Sequence, residues 1–187
     1  MPVRIIHTRR FVDERGWFSE VYNRDRFADV GLTLPFVQDN HSMSRAAGVL
    51  RGLHFQRPPH AQAKLVRCVR GRIWDVAVDV RSGSPTFAKW VSLELTADEG
   101  LQLFLPVGFA HGFLTLEPNT EVIYKTSDVY APECDDGLIW NDPDIALPWP
   151  SVEGGPILSE KDRVLKTVAN FDSPFSYDGT PLTALEV

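Results

Sequence analysis

Glycine and proline constrain this chain more than any other feature. Fourteen prolines and thirteen glycines break its 187 residues about every seven positions. Proline inside a helix removes a hydrogen bond and clashes with the preceding turn, and glycine also weakens it. Long helices therefore have little room. Between the breaks lie short runs rich in Val, Ile, Leu, Phe and Trp, which read as an all-β sandwich or barrel. No internal repeat, linker-like tract or low-complexity segment interrupts the pattern. A single domain is expected over 1–187, with residues from about Asp172 onward forming a strand or a loose, peripheral tail.

Composition narrows the function classes. Hydrophobic residues make up 43% and charged residues 24%, which excludes wholesale disorder. Nineteen basic against 25 acidic residues leave a net charge of −6. A broad nucleic-acid surface wants the opposite balance. No stretch approaches the roughly 18 apolar residues of a membrane helix. Arg4, Arg9 and Arg10 interrupt the first residues, so no signal peptide is expected. Cys68 and Cys134 form neither a metal-ligand pair nor a disulfide framework and read as reduced thiols in a cytoplasmic protein.

The run 71–81 alternates. Trp74, Val76, Val78 and Val80 share one face of a strand, and Ile73, Asp75, Ala77, Asp79 and Arg81 share the other. The charged face meets either bulk water or a polar barrel interior, and alternation alone leaves both open. Helix signals are few. Asn23 is placed to cap a short helix ending at Gly31. Ser159 to Asp162 reads as a capping box opening another.

Five histidines, at positions 7, 41, 54, 60 and 111, show no local metal-ligand spacing. Neither a phosphate-binding glycine loop nor a G-x-S-x-G elbow is present. Polar residues are instead dense between Gln38 and Lys64. The segment 49–56 is short enough for a strand, yet holds Arg51, Gly52 and His54 where packing would prefer apolar side chains. Glycine inside a strand marks a bulge or a close backbone approach. His111 lies between two glycines and two phenylalanines, where a histidine satisfied at a turn is the plain alternative. Tyr124 and Tyr130 fall in an alternating run, where core packing is the plain alternative.

Several long motifs in order carry a resemblance. They are Asp13-Glu14-Arg15-Gly16 with Phe18 and Glu20, Gln38-Asp39-Asn40-His41-Ser42, Arg51-Gly52-Leu53-His54-Phe55-Gln56 and Lys64-Leu65-Val66-Arg67. Asp75 to Arg81, Gly108 to Phe113, Tyr124-Lys125, Tyr130, Trp140-Asn141-Asp142-Pro143 and Leu158 to Asp162 continue them. Over about residues 3–165 the sequence resembles the dTDP-4-dehydrorhamnose 3,5-epimerases. The resemblance implies a cupin-type jelly-roll barrel of antiparallel strands, a homodimer, a dTDP-sugar substrate, and neither metal nor organic cofactor. It implies His54 as general base, Asp162 as its orienting partner, Tyr124 as general acid and Lys64 as stabiliser of a C4 oxyanion. Arg15, Arg51, His111 and Lys161 would contact the nucleotide-sugar, above all its diphosphate. Glu20, Gln38, Asp39 and Asn40 match the thymidine-contact segments, and Tyr130 matches a tyrosine that stacks on thymine. Phe18 belongs to the N-terminal segment that reaches a neighbouring subunit's site, and Asp136 corresponds to an acidic ligand.

The chemistry suits these residue types. A C4 ketone acidifies the hydrogens on C3 and C5, and removing one gives an enolate. Imidazole is the side chain whose ordinary pKa lies near neutrality. A cation where charge develops stabilises the enolate, and a phenol on the far face returns the proton. Two demands on structure follow. Arg51 and His54 stand three apart, so an ideal strand would aim them at opposite faces; serving one site requires an irregularity near Gly52. Asp162 must cap a helix, orient His54, or both. Epimerisation at one centre only, a non-catalytic sugar-binding cupin and a metal cupin are the competing readings.

Overall fold

Strands form where the punctuation leaves room for them. A computed structural model describes residues 1–185, and in it almost all regular structure is extended. One five-stranded sheet runs in the order β1 (Arg4–His7), β9 (Leu101–Leu105), β6 (Lys64–Arg70), β11 (Thr120–Thr126), β4 (Gln38–Ser44). The other runs β12 (Asp135–Gly137), β5 (Leu50–Gln56), β10 (Phe109–Thr115), β7 (Arg72–Asp79), β8 (Trp90–Thr96). Their ladders are antiparallel. The two sheets face one another as a jelly roll, the all-β cupin-type architecture expected from the sequence.

The interior is apolar at one part and polar at another. Val66, Cys68, Leu103 and Val122 of the first sheet pack against Ile73, Ala77, Phe109 and Phe113 of the second. Each large apolar side chain among them contributes about 1.5–3 kcal/mol by leaving water. Burial pushes the Cys68 thiol up to about 11, and both cysteines are buried free thiols.

The alternating run resolves towards the barrel. Asp75, Asp79 and Arg81 are buried, sharing the inward face with Ile73 and Ala77. Asp79 accepts from Arg81 at 2.8 Å, Ser84 at 2.6 Å and Thr86 at 2.7 Å. Burial alone would raise the Asp79 carboxyl, but these donors hold it below its ordinary value. The apolar face is covered too. Val76, Val78 and Val80 pack with Leu53 and Phe55 beneath Leu138, Ile145, Val168 and Phe175. The C-terminal chain therefore lies across the outside of the second sheet. Ser173 donates to the Val80 carbonyl, Ser82 bridges Ser176, and Arg81 reaches Asp178 at 2.9 Å.

Both helix signals hold. Asn23 caps α1 (Arg24–Asp29), accepting from the Asp25 and Arg26 amides. Ser159 caps α2 (Glu160–Arg163), accepting from the Asp162 amide at 3.2 Å. Between β1 and α1, β2 (Arg10–Asp13) and β3 (Gly16–Ser19) pair only with each other. This hairpin arm leaves Phe11, Val12, Trp17 and Phe18 exposed.

Candidate active site

Register decides which side chains meet. On β10, His111 pairs with His54 of β5, and Phe113, two residues on, pairs with Arg51, three residues back. The extra residue is absorbed at Gly52 and Leu53, so Arg51 and His54 share the inward face after all. Gly52 has φ +131°, and a Cβ there would stand 2.5 Å from the Gly112 Cα. Only a glycine fits so close an approach in that conformation. The irregularity that the residue spacing demands is present.

A cavity of about 420 Å³ between the sheets is lined by Arg51, His54, Lys64, His111, Tyr124 and Asp162, together with apolar side chains. A second, of about 210 Å³, shares His54, Lys64 and Tyr124 and adds Gln38, Asn40, Tyr130, Asp135 and Lys161. His54 comes from the second sheet, and Lys64 and Tyr124 from the first. A ligand between them therefore has imidazole on one side and phenol on the other. The Lys64 Nζ lies 3.4 Å from the His54 carbonyl oxygen and 6.0 Å from the Tyr124 ring centre.

Electrostatics follow from burial. The His54 Nε2 meets the Asp162 Oδ1 at 2.5 Å. Burial would raise the Asp162 carboxyl, but hydrogen bonds and charge from His54 hold it below its ordinary value. Asp162 thus makes both contacts: its amide donates to Ser159 while its carboxylate meets the imidazole. An ionised carboxylate fixes one ring nitrogen as donor and leaves the other to accept a proton. Desolvation pushes the Lys64 ammonium down to about 8, against the pull of Asp135 and Asp75. Desolvation also lowers His111, opposed by Asp75, whose Oδ1 lies 2.6 Å from its Nε2. His111 sits within a strand rather than at a turn. Burial raises the Tyr124 phenol, opposed by Arg51, so the phenol keeps its proton at neutral pH.

Gln38 and Asn40 point inward from β4, linked by a 2.9 Å hydrogen bond. Tyr130 lies beyond the end of β11, exposed; its amide donates to Gln38 and its hydroxyl to Asp135. Lys161 meets Asp135 at 2.5 Å. Other expected residues lie elsewhere. Asp39 has the opposite parity on β4 and pairs with Lys125 on the outer face at 2.7 Å. Asp136 points away from the cavity, to Arg57 at 2.6 Å and Lys166 at 2.8 Å. Its neighbour Asp135 takes the cavity-facing place, because adjacent strand residues face opposite ways. Arg15 pairs with Asp13 at the arm's turn, Phe18 is exposed on the arm, and Glu20 contacts Arg26. These three line neither cavity of this protomer.

Asp135 and Asp75 join the site without having stood among the residues expected there. Asp75 left a signal in the sequence, a carboxylate on the inward parity of an apolar strand. Asp135 left none, since its direction depends on how β12 pairs with β5. Among the described residues, no three His, Cys, Asp or Glu side chains gather as a metal site.

A jelly roll whose interior aligns an imidazole–carboxylate pair, an ammonium and a phenol defines a cupin-type enzyme built for proton transfer. Residues 2–170 match the family model for dTDP-4-dehydrorhamnose 3,5-epimerase. The protein of that name from Sinorhizobium fredii is 50% identical over 179 residues, 94% of this chain and 89% of the relative. The one from Escherichia coli K12 is 52% identical over 167 residues, 89% of each chain. A Legionella pneumophila structure, of a dTDP-6-deoxy-D-glucose-3,5-epimerase in complex with dTDP-4-keto-L-rhamnose, aligns with a TM-score of 0.90. That likeness has 40% identity and covers 95% of this chain and 94% of the other. The chain belongs to the dTDP-4-dehydrorhamnose 3,5-epimerase family.

Proposed function

We propose that this protein converts dTDP-4-dehydro-6-deoxy-D-glucose to dTDP-4-dehydro-L-rhamnose by inverting C3 and C5. The observation that carries this reading is the arrival of His54 and Tyr124 from facing sheets, with Lys64 beside both. His54 takes the proton next to the C4 ketone. Asp162 holds the imidazole and balances the charge it gains. Lys64 stabilises the enolate oxygen, and Tyr124 delivers a proton to the opposite face, inverting the centre. A positioned acid–base group contributes about 10²–10⁴-fold. Arg51, His111 and Lys161 hold the sugar nucleotide and its diphosphate, Gln38 and Asn40 the thymidine, and Tyr130 stacks on thymine.

The protein acts as a cytoplasmic homodimer. Free cysteines are the form a reducing compartment maintains. Exposed aromatics on the arm carrying Arg15 and Phe18 favour its docking on a neighbouring subunit, with Glu20 at its base. Proton NMR in D2O tests the reaction with the 4-keto-6-deoxy sugar nucleotide. Deuterium at both C3 and C5, with inversion at each, is the expected result. Label at one position would mean a single-centre epimerase, and label at neither a binding protein.

A further inference from the structure

Tyr130 has to hold a flat ring in one place, yet little about the ring itself is fixed. It is 55% exposed, and residues 127–131 belong to no strand or helix. Its hydroxyl reaches Asp135, a carboxylate shared with Lys161. The main chain around it is held more firmly. The Tyr130 amide donates to Gln38, and the groups on either side of it bond to one buried side chain, Gln56.

Gln56 is the last residue of β5 and shares the face of His54, two positions back. It is 4% exposed. Its Nε2 donates to the Val129 carbonyl at 3.1 Å and to the His60 carbonyl at 2.6 Å. Its Oε1 accepts from the Ala131 amide at 2.9 Å. A glutamine amide has two N–H donors and one accepting oxygen. Gln56 lines the smaller cavity, but with its Nε2 engaged twice it keeps no donor for a ligand. Its bonds fall on the residues before and after Tyr130, and so set the direction in which that ring leaves the chain.

We propose that Gln56 is a positioning residue for nucleotide binding, which holds the Tyr130 ring in place before thymine arrives. The inference rests on the stacking role given to Tyr130 above. A ring already in place loses less freedom when the base stacks on it, so more of the stacking energy appears as affinity. Without the Gln56 amide, two carbonyls and one N–H lose their partner and must turn to water. The segment 129–131 then leaves its present course, and the ring goes with it.

Titration calorimetry with dTDP, on the full-length protein, tests this through a double-mutant cycle of Gln56 and Tyr130. Tyr130→Ala should weaken dTDP about 5–150-fold, the range for loss of one base–aromatic stack. Gln56→Met has a similar length without the amide. It should weaken dTDP at least about fivefold in the parent, and less than about twofold where Tyr130 is already alanine. Gln56→Glu keeps the acceptor for Ala131, loses both donors, and should follow the same pattern. In turnover, KM for the sugar nucleotide should rise by more than kcat falls, because the groups that move protons stay where they are. Equal losses in both backgrounds would overturn the proposal, since a purely structural glutamine would weaken binding whether or not the ring is there. So would parent-like affinity in the folded Gln56 variants. Failure of both variants to fold would overturn it as well, because the role is confined to one surface segment. Tyr130→Ala binding dTDP as the parent does would instead overturn the stacking on which the proposal rests.

Discussion

His54 and Tyr124 should fail in different ways when altered, because they stand on opposite walls. His54→Asn is expected to abolish deuterium exchange at C3 and C5 while dTDP still binds, as NMR exchange and calorimetry would report. Tyr124→Phe keeps the ring, the base and Lys64, so the enolate still forms and His54 returns a proton to the face it came from. Deuterium should then enter the sugar faster than the configuration inverts; equal losses of both would remove Tyr124 from its role. Tyr130→Phe is the control, since stacking needs no hydroxyl. Lys64 gives a pH signature. Its charged form is the useful one, and burial brings its pKa to about 8. The alkaline limb of kcat/KM, which reports the free enzyme, should therefore fall through about pH 8. Lys64→Arg should move that limb upward, because a guanidinium keeps its proton. The motif residues are legible in the sequence, since a base, a cation and a phenol are recognisable as residue types. The choice between Asp135 and Asp136 is not, because both are carboxylates and only strand direction separates them.

At the scale of elements, β5 matters most. Its irregularity can be inferred from two functional residues three apart; the partner that makes it possible, Gly112 on β10, cannot. Gly52→Ala would place a Cβ 2.5 Å from the Gly112 Cα and 2.8 Å from the His111 carbonyl oxygen. Backbone must move, so a loss of at least about 3 kcal/mol is expected by denaturant titration. Exchange activity should fall with it, because Arg51 and His54 would no longer share a face. A midpoint unchanged from the parent would refute this account of the bulge. The strand β7 shows the complementary limit. Its alternation is plain, but alternation records only that two faces differ. Both prove to be covered, the charged face by the barrel interior and the valine face by residues 138–175, which lie far along the chain. Local pattern carries no trace of that cover.

For the whole molecule, the hairpin arm is the part least explained by a single protomer. Phe18 is 68% and Trp17 57% exposed, a poor use of aromatic surface unless something covers it. Sedimentation equilibrium is expected to give twice the chain mass. Phe18→Ser combined with Trp17→Ser should shift it towards one and lower activity most in dilute solution. A monomer with full activity would contradict the dimer. Assembly in time is a further consequence of the distance along the chain between the base and the carboxylate that aims it. His54 and Asp162 are 108 positions apart, and the last barrel strand closes at Gly137. A ribosome making this protein releases the imidazole, the ammonium and the phenol well before the aspartate. The valines of β7 stay bare until the same late stretch arrives. Turnover and the last layer of hydrophobic cover thus depend on the same closing segment, so a chain cut short loses both together.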